Sequence, residues 1–199
     1  MRGSTAKRAA FPMNEIASTG QLKMSLARWV IVLAPLLMLL GILSGLMGGS
    51  GDSNRWYQSL AKPGFIPPGW LFGVVWPLLY ILQAFALALV FDARGAPKRG
   101  RAVMLFIIQF GLGLLWTPLF FAAHKVEAAS WVALAMVVSA LAAMLAFWRI
   151  RSKAGLLMVP LLLWLVFACV MTFSLARLNP DAERLHNPVA RTHIGAASS

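Results

Sequence analysis

The chain has 199 residues, of which 60% are hydrophobic and only 12% charged, with a formal net charge of +12 and a mean hydropathy of +0.75. Soluble domains carry roughly 25% charged residues, so the composition excludes an ordinary soluble domain and indicates a membrane protein. The basic residues stand in short loops and tails between apolar runs, where membrane topology accounts for them, and nucleic acid is not an expected partner.

Residues 1–28 are polar and basic, with no apolar stretch before Trp29. They read as a flexible cytoplasmic tail rather than a cleaved signal peptide. Five apolar runs follow, at about residues 29–48, 68–91, 102–122, 128–148 and 155–177, and no charged residue interrupts the interior of any of them. Each is long enough for a helix to cross a hydrocarbon core of roughly 30 Å. The short alternating segments of a membrane β-barrel are missing. The expected fold is an all-α membrane protein, a bundle of five transmembrane helices over residues 29–178, followed by a polar tail at 179–199.

The links between the runs differ in character. Loop 1, residues 49–67, is the longest and carries turn chemistry in GGSGDSN and KPGFIPP. Loop 2 (DARGAPKRGR), loop 3 (AHKVE) and loop 4 (RIRSK) are short, which forces neighbouring helices to run antiparallel. Arg2, Lys7, Arg8, Lys23 and Arg28 of the amino tail, with Arg94, Lys98, Arg99 and Arg101 of loop 2 and Arg149, Arg151 and Lys153 of loop 4, lie on one side. They outnumber Arg55, Lys62, Lys125, Arg177, Arg184 and Arg191 on the other. Because positive charge stays inside, the amino terminus, loop 2 and loop 4 are expected to face the cytoplasm, with loop 1 and the carboxyl tail opposite.

Pro35, Pro77, Pro118 and Pro160 fall within apolar runs. Each removes a backbone donor; they either kink helices and open space between them or reflect the ordinary proline content of membrane helices. Gly41 and Gly45, with Gly48 continuing the small face, and Gly69 with Gly73, form GxxxG patterns that permit close helix contact, within the chain or in a homodimer.

Catalytic chemistry finds little support. Glu15, Asp52, Asp92, Glu127, Asp181 and Glu183, all the acidic residues, lie in tails or loops. The lone cysteine, Cys169, allows no intrachain disulfide, and His124, His186 and His193 lie outside the apolar interiors. No carboxylate pair, nucleophile triad, phosphate-binding loop or metal-ligand cluster is visible, and no obligatory cofactor is implied. Without charge inside the membrane, an ion-coupled transporter is also disfavoured.

The informative chemistry is aromatic. The stretch WYQSLAKPGFIPPGWLFGVVWPLLY, residues 56–80, holds three of the eight tryptophans, both tyrosines and four of the eleven prolines. Trp76, Tyr80 and Gln83 share one helical face; so do Gln109, Gly113, Trp116 and Phe120 in the third run, and Trp164, Ala168 and Thr172 in the fifth. Tyr80 and Gln83 are costly facing lipid, so these faces are expected to turn inward. Indoles to stack on, a few hydrogen-bonding groups and small residues suit a flat, apolar, aromatic ligand. The alternative is ordinary helix packing with interfacial tryptophans, the reading that fits Trp29, Trp131 and Trp148. Prolines stiffen loop 1, which is expected to hold Trp56 and Tyr57 over the bundle mouth. Arg55 and Lys62 there could meet the carboxylates of an anionic ligand or bind lipid headgroups.

These blocks, together with QFGLGLLWTPLFF at 109–121 and VPLLLWLVFACVMTFSLARLN at 159–179, resemble the tryptophan-rich sensory protein / translocator protein family (TspO/MBR, the peripheral benzodiazepine receptor family). The resemblance runs from the first apolar run to Asn179. It implies a five-helix bundle, often a homodimer, with a pocket beneath loop 1. Members bind porphyrins, including haem and protoporphyrin IX, and in animals cholesterol and benzodiazepine-type drugs. The positions matching the family's pocket motif are Tyr57, Pro67, Trp76, Tyr80, Trp116 and, more loosely, Ala168. Porphyrin breakdown has been proposed for some bacterial members, which makes Trp56, Trp76 and Trp164 candidates for such chemistry. Three positions depart from the family's pattern: Gly113 and Thr172 stand where asparagines are common, and Leu161 where a tyrosine often follows the proline of the fifth helix. The proposed cholesterol-recognition pattern would have only Phe173, between Val170 and Arg177, and is weak. The expectation is a porphyrin- or haem-binding protein of a bacterial inner membrane, acting in tetrapyrrole sensing, regulation or transport. Porphyrin degradation or sterol and lipid carriage are the alternatives.

Overall fold

The computed structural model describes residues 19–184, with side chains from Met24 onward. The expected flexible tail therefore falls mostly outside the described residues, as does the carboxyl tail from residue 185. Residues 19–28 are helical.

Among the described residues six helices follow one another: α1 (Thr19–Gly48), the short α2 (Arg55–Ser59), α3 (Gly69–Asp92), α4 (Arg99–Phe121), α5 (Val126–Ile150) and α6 (Ser152–Leu178). Five are long and apolar enough to cross a membrane, the first through Met24–Gly48. Helices satisfy every backbone group internally, which hydrocarbon demands. α1 begins at Thr19, ahead of the apolar run from Trp29; its first turns are too polar to carry a hydropathy signal. Pro35, Pro77, Pro118 and Pro160 all lie inside these helices. The outward surfaces are apolar: Ile31, Leu46, Val138 and Leu163 are exposed, as lipid contact requires.

The helices close a ring. α1 packs on α3 and α4, α3 on α6, α6 on α5, and α5 on α4. α3 and α4 face each other with few close backbone contacts, and α1 fills the gap between them on one side. There the first GxxxG face is used within the chain. Tyr80 of α3 packs against Gly41, Gly48 rests on Thr117 of α4, and the Ser44 hydroxyl donates to the Leu114 carbonyl at 2.7 Å. Gly69 abuts the Asp52 carboxylate, whereas Gly73 faces open space.

Antiparallel alternation gathers loop 1, the α4–α5 link and the turn after α6 at one end. At the other end Arg151 pairs with Asp92 at 3.3 Å, and Arg99 donates to the Phe91 carbonyl at 3.4 Å.

Candidate functional site

Loop 1 is built around α2. Asn54 caps it: its Oδ1 accepts from the Tyr57 N–H at 2.9 Å, and its Nδ2 donates to the carbonyls of Gly49 at 3.0 Å and Phe121 at 3.3 Å. One helical turn thereby points Trp56 and Tyr57 downward. Both are buried, in a cluster with Leu60, Phe120, Val126, Ala129, Met171 and Leu175. Trp56 meets Phe120 edge to face at 5.4 Å and lies 4.3 Å from the His124 ring. Tyr57 meets Phe121 at 5.4 Å. The rings expected to hang over the mouth are thus wedged between the ends of α4, α5 and α6. Burial pushes the Tyr57 hydroxyl above its ordinary pKa, and the nearby Asp52 charge adds to the shift. Lys62 lies 4.8 Å over the Tyr57 ring and donates to the Gln58 carbonyl at 3.3 Å. Arg55 is exposed, and Pro67 is half-buried.

Below this cap the three inward faces contribute as follows. On α3, Trp76 and Tyr80 stand 5.8 Å apart, and Tyr80 meets Phe110 of α4 at 6.0 Å. On α6, Trp164 meets Phe72 of α3 and Phe167 of its own helix, each at 5.5 Å. On α4, Trp116 stacks on Phe120 at 5.1 Å with the planes 10° apart. Phe120 therefore touches both the cap and the interior. The sequence reading missed Phe72, Phe110 and Phe167. Helical spacing was the available signal, since Phe72 precedes Trp76 by one turn and Phe167 follows Trp164 by three residues.

The polar atoms divide sharply. Among the described residues, the indole N–H groups of Trp116 and Trp164 and the Oε1 atoms of Gln83 and Gln109 are buried without a hydrogen-bond partner. A buried polar group left unpaired is costly, so each of these four atoms is short of a partner. Thr172 is not among them, although fully buried, because its hydroxyl donates to the Ala168 carbonyl at 2.8 Å within α6. Ala168 is half-buried. Gly113 is turned toward α5, where a Cβ would sit 3.6 Å from Met136 Cε. That is an ordinary van der Waals distance, so packing alone does not require glycine there.

Two donors and two acceptors thus stand unpaired among the rings of the interior. Among the described residues no three His, Cys, Asp or Glu side chains come together as a metal site. A recess of about 350 Å³ lined by Lys125, Glu127, Ala128, Trp131 and Glu183 opens at the outer rim of the bundle, lined by none of these interior groups.

Residues 31–178 match the TspO/MBR family. The chain belongs to that family. Protein CrtK of Rhodobacter capsulatus is 35% identical over 143 residues, covering 70% of this chain and 88% of the relative. The tryptophan-rich sensory protein of Cereibacter sphaeroides is 35% identical over 133 residues, 65% of this chain and 82% of the relative. The human translocator protein is 31% identical over 131 residues, 65% of this chain and 78% of the relative. This TspO/MBR protein is thus an integral membrane protein of a sensory and translocator family. The matched span takes in the capped interior and stops at Leu178, one residue short of Asn179.

Proposed function

We propose that this TspO/MBR protein binds a porphyrin, protoporphyrin IX or haem, inside the bundle beneath loop 1, and serves tetrapyrrole sensing, regulation or transport. The observation that carries this reading is the pair of buried, unpartnered indole N–H groups, Trp116 and Trp164, set among rings of α3, α4 and α6. Indole faces give a flat macrocycle its stacking surface, and the two N–H groups are donors for its propionate oxygens. The distribution of Lys and Arg supports a cytoplasmic amino terminus with loop 1 on the opposite side, and bacterial relatives support an inner-membrane setting. Pairing of two copies belongs to the same reading.

Titration of the purified chain in nanodiscs with protoporphyrin IX tests it. Tryptophan emission is expected to fall along a saturable curve. Trp116→Phe, which removes one donor and part of a stacking surface, is expected to weaken binding about 5–30-fold, the effect of roughly 1–2 kcal/mol. A linear, unsaturable loss of emission would sink the function. An unchanged titration for Trp116→Phe would move the ligand away from this site.

A further inference from the structure

Loop 1 is held from outside the spanning helices. The Ala61 N–H donates to Asn179 Oδ1 at 2.8 Å, and the Ala61 carbonyl accepts from Asn179 Nδ2 at 2.9 Å. The indole N–H of Trp56 donates to the Ala182 carbonyl at 3.1 Å. Ala182 is itself buried against Trp56, and its N–H returns to the Asn179 carbonyl at 3.0 Å. Glu183 fastens the same turn to α5: its carboxylate lies 3.2 Å from Lys125 Nζ and accepts from the Glu127 N–H at 3.4 Å. Among the described residues, the only other hydrogen bond tying loop 1 to a distant part of the chain is that of Asn54 to Phe121.

Asn179 grips Ala61 as a neighbouring strand would, with one donor and one acceptor against the same residue. A strand releases only by backbone rearrangement, whereas a side-chain amide releases by a single rotation. Capping α6 does not require this grip, because Asn179 Nδ2 also reaches the Leu175 carbonyl at 2.9 Å. The exposed Lys125–Glu183 pair contributes little of its own; burial of Trp56, Tyr57 and Leu60 holds the cap down, and the amide and indole bonds fix where it sits.

We propose that the turn Asn179–Arg184 is a latch on loop 1, with Asn179 as its positioning residue. A ligand reaches the rings below only while Asn179 and Ala182 have released Ala61 and Trp56. The part of this that concerns ligand passage rests on the reading that the interior binds a porphyrin.

The test uses the full chain in nanodiscs with Cys169→Ala and Leu60→Cys. Leu60 is 4% exposed, so a thiol there reacts with a soluble maleimide only from an opened cap. Asn179→Ala is expected to speed labelling about tenfold, the scale of two neutral hydrogen bonds. Asn179→Asp keeps the acceptor, loses the donor, and is expected to fall between. Without the two cysteine changes, Asn179→Ala is expected to quicken association and dissociation of protoporphyrin IX by similar factors, leaving Kd nearly unchanged. Unchanged labelling overturns the latch. Faster labelling with unchanged porphyrin rates overturns it as a gate, because the ligand then passes elsewhere. If no porphyrin binds, the proposed function falls, and the labelling alone decides whether the latch exists. Hydrogen exchange on the unaltered chain guards against damage by Leu60→Cys: the Ala61 amide and the Trp56 indole N–H are expected to exchange through one shared opening, and unrelated rates overturn the proposal.

Discussion

Gly41 shows how much one missing methyl group decides. The Tyr80 ring occupies the space that any Cβ at position 41 would need, so the contact of α1 with α3 depends on glycine there. Gly41→Ala is expected to cost about 1–3 kcal/mol through overpacking, read as a lowered unfolding temperature in detergent. The double variant Gly41→Ala/Tyr80→Leu is expected to cost clearly less than the two single changes together, since the shorter side chain clears the collision. Thr172 and Asn179 show how residue type can mislead. A threonine on an inward face reads as a ligand donor until its hydroxyl is seen spent on its own helix at 2.8 Å. An asparagine at the end of a helix reads as a cap, and nothing local announces its partner Ala61, 118 positions earlier in the chain.

Between elements, the Asp92–Arg151 pair joins the end of α3 to the junction of α5 and α6. Its two partners are unequally placed: the side chain of Asp92 is 8% exposed and that of Arg151 40%. Removing Arg151 strands a buried carboxylate, whereas removing the Asp92 charge leaves a guanidinium that water can reach. Arg151→Ala is therefore expected to cost about 2–3 kcal/mol and Asp92→Asn about 1, measured by chemical denaturation in detergent. Equal costs would show that water reaches both partners alike. The five spanning helices were legible because a charge-free run of membrane length has few alternatives. Their ends were less so: the first turns of α1 are polar, and hydropathy cannot separate a polar helix from a polar loop. α2 was hidden for a related reason. A helix of one turn, held by the Asn54 cap and the burial of Trp56 and Tyr57, has no periodicity to read. The interior tryptophans were legible from spacing, but the separation of cap from interior was not, because it depends on Phe120 sharing its faces between them.

At the scale of the whole molecule, five antiparallel crossings place loop 1 and loop 2 on opposite sides of any membrane the chain occupies, and the proposed orientation, with loop 2 on the cytoplasmic side, rests on the surplus of Lys and Arg there. In a Cys169→Ala background, Ser59→Cys is expected to react with an impermeant thiol reagent added to intact spheroplasts. Ala96→Cys is expected to react only after they are opened. The reverse pattern would invert the orientation. Phe120 gives this architecture a further consequence. It stacks on Trp116 at 5.1 Å and meets Trp56 at 5.4 Å, which fixes two indoles in one chiral column running from the cap into the bundle. Fixed aromatic rings in asymmetric surroundings produce near-ultraviolet circular dichroism, and mobile ones do not. The column is therefore an intrinsic optical gauge of cap closure: its dichroic bands fade as Trp56 leaves Phe120, while the far-ultraviolet signal of the five long helices holds steady.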